Sequence, residues 1–497
     1  MNEFSYYTFS HRYFFDTLDS YSIQDDHSAI LRELIPENWK LTRFEHWLQA
    51  SHDDQKPLDL QGFKIHVSSA WSHAEETLRR VVPICVESDT CFKIVADSAL
   101  LRFANSKRFG RGGSGKFIVI YPHDTESFIE LIDAIAEATK GLEGPYILSD
   151  KRFKDSKVVF YRYGGFQRLF DLQIDGTRRS MIRNPNGELI EDRRLPYFEL
   201  PFEMDDPFPD VSTEDEEDDG LLAGRYQVED AFAYTNTGGV YRAKDHKTGE
   251  TVVIKEARPH TETWLGRETT VDAITALRKE HNALEKLAGL QCVPEAIDLF
   301  EEWEHTFLVT SFFPGDSLAE LRATTDFIVM VNMDDPERVA QFCVQWKRLT
   351  LHLFEALDAV HARGLIVGDV SPTNVLYDQE RDEICLIDFE GAFIPDHDHD
   401  SATFSVQWFN PGFRAPDRRQ NTFLEPVDDY YAMGMLLYSM IIPSQSLYEL
   451  DPQQPIFRFL DYFVEAGLPR EVRDIIDALL TGNDAEARQI VDCWEIA

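Results

Sequence analysis

A basic stretch in the first half of the chain could bind an anion. Between Arg102 and Arg183 there are 15 Lys and Arg residues against 10 Asp and Glu, although the whole chain has a net charge of −39. A local excess of positive charge in an acidic protein favours an anionic ligand at that place. The alternative is an ordinary basic surface that contacts the acidic second half of the chain.

A glycine-rich loop lies inside this stretch. Residues 110–116, GRGGSGK, almost spell a nucleotide-binding P-loop. Phe117 stands where Ser or Thr would bind Mg²⁺, and strand-like FIVIYP follows in place of a helix, so a nucleotide P-loop is rejected. The loop could still surround a phosphate through its backbone N–H groups and the charges of Arg111 and Lys116.

Three further residues combine base and acid chemistry. Lys64 and His66 lie two residues apart in FKIHVS, and Lys93 lies in CFKIVA. Both runs are typical of strands, and side-chain alternation would point Lys64 and His66 to the same face. A desolvated lysine near other cations has a lowered pKa and can accept a proton.

The elements around these residues are typical of an α+β domain. Apolar runs FKIHVS, CFKIVA, KFIVIYP and KVVFYRY predict strands, while residues 74–81 and 125–139 predict amphipathic helices. A proline-containing acidic segment follows that should self-repel. We therefore predict a first domain at 1–200, an acidic linker at 201–223 and a second domain at 224–497.

Charge and cysteine spacing exclude several classes of protein. Residues 1–200 hold 26 basic and 30 acidic residues, whereas residues 201–497 hold 23 and 58. Such a chain would be repelled by nucleic acid and anionic lipid, so we expect neither nucleic-acid nor membrane partners. Six cysteines without C-x-x-C pairs indicate neither a zinc site nor a disulfide framework. We expect a soluble, cytoplasmic protein.

The second half resembles the protein kinase family over about residues 224–480, because its motifs occur in the order VVIK, HARGLIVGDVSPTN, LIDFEG. The resemblance implies that Lys255 reaches the phosphates of ATP or GTP and pairs with Glu280. It further implies that Asp369 accepts the substrate hydroxyl proton, and that Asn374 and Asp388 bind Mg²⁺. Two further matches are Ala415-Pro416-Asp417 and Asp429 in DYYAMG.

Three departures from the kinase pattern leave an alternative open. Val367 and Gly368 replace the usual His-Arg before the catalytic aspartate, and Glu390 replaces the glycine of D-F-G. The glycine-rich loop is reduced to NTGGV, with Gly238 and Gly239 as the residues expected to contact nucleotide. A pseudokinase scaffold is therefore possible in principle, but the complete catalytic set favours active phosphoryl transfer.

The K-x-H strand, Lys93 and the basic stretch together resemble the phosphothreonine lyases, which eliminate phosphate from a phosphorylated side chain without a metal. The resemblance implies that His66 is the general acid and that Lys93 removes the α-proton, with Lys64 of the K-x-H pair as a further catalytic residue, while other cationic residues hold the phosphate. The candidate phosphate-binding residues are Arg108, Arg111, Lys116, Arg152 and Arg162.

Both halves together resemble class III lanthipeptide synthetases. The resemblance implies that Ser and Thr of a ribosomal precursor peptide with a leader segment are phosphorylated and then converted to dehydroalanine and dehydrobutyrine. Family members carry a further C-terminal cyclase domain, which the sequence given lacks, so we expect dehydration with cyclisation by a separate cyclase, or a truncated chain. The alternative is a kinase whose first domain binds phosphopeptides or regulates the kinase.

Overall fold

A computed structural model describes residues 18–24, 26–195, 197–209, 220–265, 270–324, 333–394, 410, 412–419, 421, 423–442 and 455–496. A sheet domain with helices on one side comes first, and a strand-rich lobe and a helical lobe follow. This is the mixed α+β architecture expected from the sequence.

The first domain is built on a seven-stranded antiparallel sheet with the order β1-β2-β4-β5-β3-β7-β6. Its strands are β1 (Lys40–Phe44), β2 (Trp47–Ser51), β3 (Gln61–Val67), β4 (Phe92–Val95), β5 (Ile118–Ile120), β6 (Lys151–Arg152) and β7 (Val159–Gly165). Its helices are α1 (Asp26–Leu34), α2 (Ala74–Glu87), α3 (Ser98–Ala104) and α4 (Thr125–Ala138). The four predicted strands correspond to β3, β4, β5 and β7.

One face of this sheet forms the hydrophobic core of the domain. Phe63, Ile65 and Val67 alternate along β3 and are buried, and Phe63 stacks on Phe128 of α4 with ring centroids 5.2 Å apart. Burial of such side chains contributes roughly 1.5–3 kcal/mol each. The intervening residues of β3 must therefore point to the opposite face.

The opposite face carries the polar residues in register. His66 of β3 is paired with Val119 of β5, and Val119 is paired on its other side with Lys93 of β4. Lys64 is paired with Arg162 of β7. Since paired residues of neighbouring strands lie on the same face, the sheet itself brings four separated basic residues together.

The end of this domain differs from the expectation. Strands β8 (Phe170–Leu172), β9 (Arg178–Arg183) and β10 (Leu189–Glu191) form a separate antiparallel unit that the sequence patterns did not predict. Phe208 packs on Tyr161 of β7, and the Tyr161 hydroxyl donates to Asp206 at 2.7 Å. Asp206 and Phe208 fall inside the predicted linker, yet they pack on the first domain. Residues 210–219 of that linker lie outside the described residues, and the domain limits stay predictions.

The second domain begins with a six-stranded antiparallel sheet of order β11-β12-β13-β14-β18-β17. Its strands are β11 (Leu221–Leu222), β12 (Tyr226–Tyr234), β13 (Gly239–Asp245), β14 (Thr251–Ala257), β17 (Ala296–Glu302) and β18 (His305–Ser311), with a small hairpin of β15 (Trp264–Leu265) and β16 (Thr270–Val271) beside it. Helix α5 (Ala273–Lys286) follows, and it begins after Asp272 because that side chain accepts a hydrogen bond from Thr275 N at 3.0 Å.

The helical lobe has a continuous apolar core. Its helices are α6 (Leu318–Thr324), α7 (Pro336–His361), α8 (Pro426–Ser439), α9 (Pro455–Glu465), α10 (Arg470–Leu480) and α11 (Asp484–Cys493), and its strands are β19 (Asp316–Ser317), β20 (Val375–Asp378) and β21 (Glu383–Leu386). Trp346 of α7 is fully buried and donates to Leu437 O of α8 at 3.2 Å. Across the described ranges, we find no helix with both the length and the hydropathy needed to cross a bilayer.

Candidate active sites

A cavity of about 860 Å³ opens on the polar face of the first sheet. Five of the residues predicted from the sequence line it, namely Lys64, His66, Lys93, Lys116 and Arg162. We call it the cationic cavity. The structure thus brings the K-x-H pair, the strand lysine and two of the predicted phosphate-binding residues onto one concave surface, while their chemical roles remain predictions.

His66 is oriented by a buried carboxylate. Its Nδ1 is hydrogen-bonded to Oδ2 of Asp150, and both side chains are buried. Burial lowers the pKa of His66 to about 3, against the opposing effect of Asp150. Burial alone would raise the pKa of Asp150, but His66 and Lys116 hold it below its ordinary value. Because an ionised carboxylate only accepts, Nδ1 carries the proton and Nε2 is left available.

Lys93 is a lysine with a lowered proton affinity. Burial, followed by the charge of Arg194, lowers the pKa of Lys93 to about 7. Its ammonium lies 4.2 Å from the ring centroid of Trp47, which limits its position. An amine that is partly neutral near pH 7 can act as a base.

Lys64 and Lys116 donate hydrogen bonds to backbone carbonyl oxygens, and Lys116 also forms an ion pair with Asp150 Oδ1 at 3.7 Å. Lys64 Nζ donates to Gly165 O at 2.9 Å, and Lys116 Nζ donates to Gly112 O at 2.9 Å. Burial lowers the pKa of Lys116 to about 7 and brings the pKa of Lys64 well below its ordinary value. Neither lysine is fully neutralised by a carboxylate, so an incoming anion would stabilise the charged form of both.

The sequence patterns missed Arg194. It lines the cavity, and desolvation there together with the charge of Arg162 lowers its pKa, although part of the residue is exposed to solvent. A Cβ on Gly112 would lie 3.0 Å from Arg194 Cδ, so the glycine-rich loop packs closely over the arginine. Arg162 Nη2 in turn donates to Asp192 Oδ1 at 2.5 Å. The sequence feature that could have indicated Arg194 is the D-R-R triplet at residues 192–194, which lies beyond the basic stretch of residues 102–183.

Three predicted phosphate-binding residues, Arg108, Arg111 and Arg152, do not line the cavity, so the structure does not bring them together with the other predicted residues. Arg152 forms a two-pronged ion pair with Glu304 of the second domain, at 2.6 and 3.3 Å. The guanidinium of Arg111 lies 4.9 Å from the ring centroid of Tyr234, and Arg108 is exposed. Arg152 and Arg111 therefore contact the second domain, as the alternative explanation of the basic stretch predicted.

The second candidate site lies between the two lobes of the second domain. Lys255 Nζ of β14 donates to Glu280 Oε1 of α5 at 2.6 Å and to Asp388 Oδ1 at 3.3 Å. Burial would lower the pKa of Lys255, but Asp388 and Glu280 raise it above its ordinary value. The lysine therefore stays charged. We call this site, with Asp369 and Asn374, the kinase cleft.

Asp369 and Asn374 are in direct contact. Asn374 Nδ2 donates to Asp369 Oδ2 at 3.0 Å, and Asn410 Nδ2 donates to the other carboxylate oxygen at 3.1 Å. Burial and the neighbouring charge of Asp388 raise the pKa of Asp369 to about 6. The carboxylate is thus oriented and has an increased affinity for a proton, as a general base requires.

Asp429 of α8 fixes the catalytic loop. Its carboxylate accepts hydrogen bonds from the backbone N–H groups of Val367 and Gly368, each at 2.8 Å. Gly368 has φ of 81°, and a Cβ there would lie 2.4 Å from Gly391 O. The Gly that replaces the usual arginine is therefore required by the backbone at this position.

The carboxylates of the cleft fit a divalent cation. Oxygens of Glu280, Asp388 and Glu390 lie within 4.8 Å of one another. Within the described parts of the chain, Oε2 of Glu280 is buried without a hydrogen-bond partner. Burial and the charge of Asp388 raise the pKa of Glu390 to about 8. Hard oxygen donors with excess negative charge are the ligands that Mg²⁺ prefers.

Gly238 and Gly239 lie in the tight turn between β12 and β13. Gly238 has φ of 154°, and a Cβ there would meet Glu256 O at 1.8 Å. A Cβ on Gly239 would meet the ring of Tyr241 at 2.3 Å. The turn therefore needs Gly238 for its backbone shape, whereas a side chain at Gly239 would have to displace the end of the Tyr241 ring. Nucleotide contact by both glycines stays a prediction.

Comparisons with known proteins find two family models that match successive parts of the chain. Residues 27–220 match the family model of the RamC N-terminal domain, and residues 230–485 match that of the protein kinase domain. The chain is 36% identical over 446 residues to a probable SapB synthase of Streptomyces coelicolor. The aligned region covers 88% of this chain and 46% of that relative. It is also 24% identical to the serine/threonine-protein kinase pkn3 of Myxococcus xanthus, over 44% of this chain and 38% of that relative.

These matches confirm the predicted fold class, and a protein kinase domain implies that the chain is an enzyme that uses a nucleotide. The chain spans about half the length of the SapB synthase relative. The chain belongs to the protein kinase family, with the RamC N-terminal domain ahead of the kinase domain as in class III lanthipeptide synthetases.

Proposed function

We propose that the chain dehydrates Ser and Thr residues of a ribosomal precursor peptide in two steps, phosphorylation in the kinase cleft and elimination of phosphate in the cationic cavity. The observation that carries the proposal is the register of one sheet, which places Lys64, His66 and Lys93 on one wall of the cationic cavity. The name of the S. coelicolor relative, a synthase, supports a biosynthetic role.

In the first step, Asp369 accepts the proton of the substrate hydroxyl as that oxygen bonds to the γ-phosphorus of ATP or GTP. The bond from this phosphorus to the β-phosphate oxygen breaks, and the nucleoside diphosphate leaves. Lys255, held by Glu280, would contact the phosphates. Asn374 and Asp388 would hold Mg²⁺, which neutralises phosphate charge when bound.

In the second step, Lys93 Nζ removes the α-proton of the phosphorylated residue. The electrons of that C–H bond form the Cα=Cβ double bond, the Cβ–O bond breaks, and inorganic phosphate leaves with a proton from His66 Nε2. Lys64, Lys116 and Arg162 would hold the phosphate and the developing enolate oxygen. The products are dehydroalanine from Ser and dehydrobutyrine from Thr.

The protonation states are coupled to substrate binding. Burial keeps the pKa of His66 at about 3 in the cavity, so the imidazole is neutral before substrate binds. A phosphate with nearly two negative charges would raise the pKa of His66, because it reverses the local electrostatic field. Asp150, hydrogen-bonded to Nδ1, would stabilise the imidazolium. Substrate binding would therefore load the general acid with its proton.

The two sites suit a relay, since the product of the first reaction is the substrate of the second and both sites lie on one chain. A basic or amphipathic leader segment of the precursor would dock on the acidic second domain, and its binding should weaken as salt increases. Addition of thiols to the new alkenes would be the reaction of a cyclase.

Mass spectrometry of a Ser-rich precursor peptide after incubation with the protein, Mg²⁺ and ATP or GTP tests the proposal. We expect transient phosphorylated species and a final loss of one water per modified residue. Stable phosphopeptide without mass loss would instead indicate a kinase with a phosphopeptide-binding domain. An unmodified peptide would indicate a pseudokinase scaffold.

A further inference from the structure

One loop of the first domain reaches both candidate sites. Gly112, Gly113 and Lys116 of this loop line the cationic cavity. A few residues earlier, the backbone N–H of Lys107 is hydrogen-bonded to Glu262 of the second domain, and the charge of Lys107 interacts with Asp388 of the kinase cleft. Residues 105–116, which we call the bridging loop, thus connect the two sites.

The small lobe of the kinase domain holds this loop by its backbone. Asn236, from the turn before Gly238, is fully buried and donates to Ser106 O at 2.9 Å and to Phe109 O at 2.8 Å. Glu262 accepts from the backbone N–H of Lys107 and donates its own N–H to Asn105 O at 3.0 Å. These contacts fix the backbone on both sides of Lys107.

The charge of the Lys107 side chain interacts with carboxylates of the kinase domain. Burial would lower its pKa, but Glu390 and Asp388, followed by Glu262 and Asp369, raise it. The same charge in turn lowers the pKa of Asp369, against the larger effects of burial and of Asp388. Although desolvation acts on its ammonium group, part of the residue remains exposed to solvent. Lys107 is therefore a charged group that a bound nucleotide could reach.

A second cationic side chain in the cleft would add to the positive charge that Lys255 and bound Mg²⁺ supply. Lys255 is already bonded to Glu280 and Asp388. The transferred phosphoryl group carries charge on three equatorial oxygens, and phosphotransferases often stabilise this charge with a cation supplied by a neighbouring domain. Lys107 occupies the position from which the first domain could supply one.

We propose that Lys107 is a catalytic residue of the kinase reaction, delivered by the bridging loop from the first domain to the phosphoryl group in transfer. The proposal rests on the proposed phosphorylation of a peptide by this chain. It implies that the kinase cleft is complete only while the two domains are docked. It also implies that a movement of the bridging loop would change the arrangement of residues in both the cationic cavity and the kinase cleft.

The test compares Lys107→Met, Lys107→Arg and the matched control Lys140→Met in the full chain. Lys140 is an exposed lysine that pairs with Glu137 three residues away. For each protein we would measure kcat and KM for the nucleotide in peptide phosphorylation, and the rate of elimination from a synthetic phosphopeptide. The second measurement reports whether the first domain is folded.

We expect Lys107→Met to lower kcat of phosphorylation about 10- to 100-fold, the value of a charge-assisted hydrogen bond to phosphate, with little change in KM. Lys107→Arg should retain most of kcat, and elimination should be unchanged in all variants. Unchanged phosphorylation by Lys107→Met would overturn the proposal. Equal losses in Lys107→Met and Lys107→Arg, or a parallel loss of elimination, would overturn it in favour of a docking role. A wild-type chain that fails to phosphorylate the peptide would instead contradict the proposed function.

Discussion

The cationic cavity and the kinase cleft bury opposite charges. In the cavity, burial lowers the pKa of Lys93 and of Lys116 to about 7. In the cleft, burial raises the pKa of Asp369 to about 6 and of Glu390 to about 8. In both places burial disfavours the charged form of these particular side chains until a ligand of the opposite sign arrives.

This difference explains the order of the proposed reactions. An acidic cleft holds phosphate only when cations accompany it, so a phosphorylated product without them is repelled. A cavity with an excess of Lys and Arg attracts the same product. The electrostatics of the two sites therefore favour transfer of the phosphopeptide from the second domain to the first.

The largest expected effect comes from the cleft. Asp388→Asn should lower phosphorylation by about 10³-fold or more, because it removes a carboxylate that contacts Lys255 and that would bind Mg²⁺. Elimination from a synthetic phosphopeptide should be unaffected. Mass spectrometry of both reactions measures this, and a parallel loss of elimination would show that the two sites are not separable.

The cavity gives the next largest effect. His66→Ala should slow elimination about 10²- to 10⁴-fold, since the leaving phosphate loses its general acid, and phosphopeptide should accumulate. Lys93→Met should behave similarly. His123→Ala serves as the matched control, because that histidine is hydrogen-bonded to Asp89 O and lies outside the cavity lining. Normal dehydration by either cavity variant would rule out the proposed roles.

Asp150→Asn should have a smaller effect on the same step. The amide cannot stabilise the imidazolium as a carboxylate does, and it can impose the other tautomer on His66. We expect elimination to fall about 10- to 100-fold, as for other residues that orient a functional histidine. Single-turnover rates with phosphopeptide measure this. An unchanged rate would mean that Asp150 has only a structural role.

The pH dependence of elimination should show the lowered proton affinity of the cavity. A base works in its neutral form, so kcat/KM should rise with pH as Lys93, with a pKa of about 7, loses its proton, and should fall at higher pH as Lys116 loses the charge that would hold the phosphate. Ionisation of the substrate phosphate gives a separate limb near about 6. A profile in which kcat/KM does not rise with a pKa of about 7, or rises only near the ordinary pKa of lysine, would contradict the assignment of Lys93 as the base.

The predictable parts of the two sites are those that local patterns encode. Alternation along β3 placed Lys64 and His66 on one face, and motif order gave the Lys255, Asp369 and Asp388 set. Both predictions used residues whose spacing is set by one strand or by one short loop. Spacing along the chain was enough to predict the positions of these residues, because the local backbone conformation fixes the direction of their side chains.

What could not be predicted depends on contacts between distant segments. Arg194 enters the cavity after the unpredicted strands β8, β9 and β10, and residues 198–208 pack on the first domain because of Phe198 and Phe208. Arg111 and Arg152 are as basic as Arg162, yet they contact the kinase domain. Composition reports a basic stretch, but it does not tell which residue faces which neighbour.

The smallest expected effect is that of replacing Arg152, which contacts the kinase domain and not the cationic cavity. Arg152→Ala removes a partly exposed ion pair with Glu304, and such pairs contribute about 0–1 kcal/mol, so elimination and the melting temperature should change little. Arg162→Ala should slow elimination strongly, because that guanidinium is buried in the cavity wall. Phosphopeptide elimination and thermal unfolding measure both variants. If Arg152→Ala instead slowed elimination as much as Arg162→Ala, the cavity would depend on docking against the kinase domain, and the two sites could no longer be treated as independent.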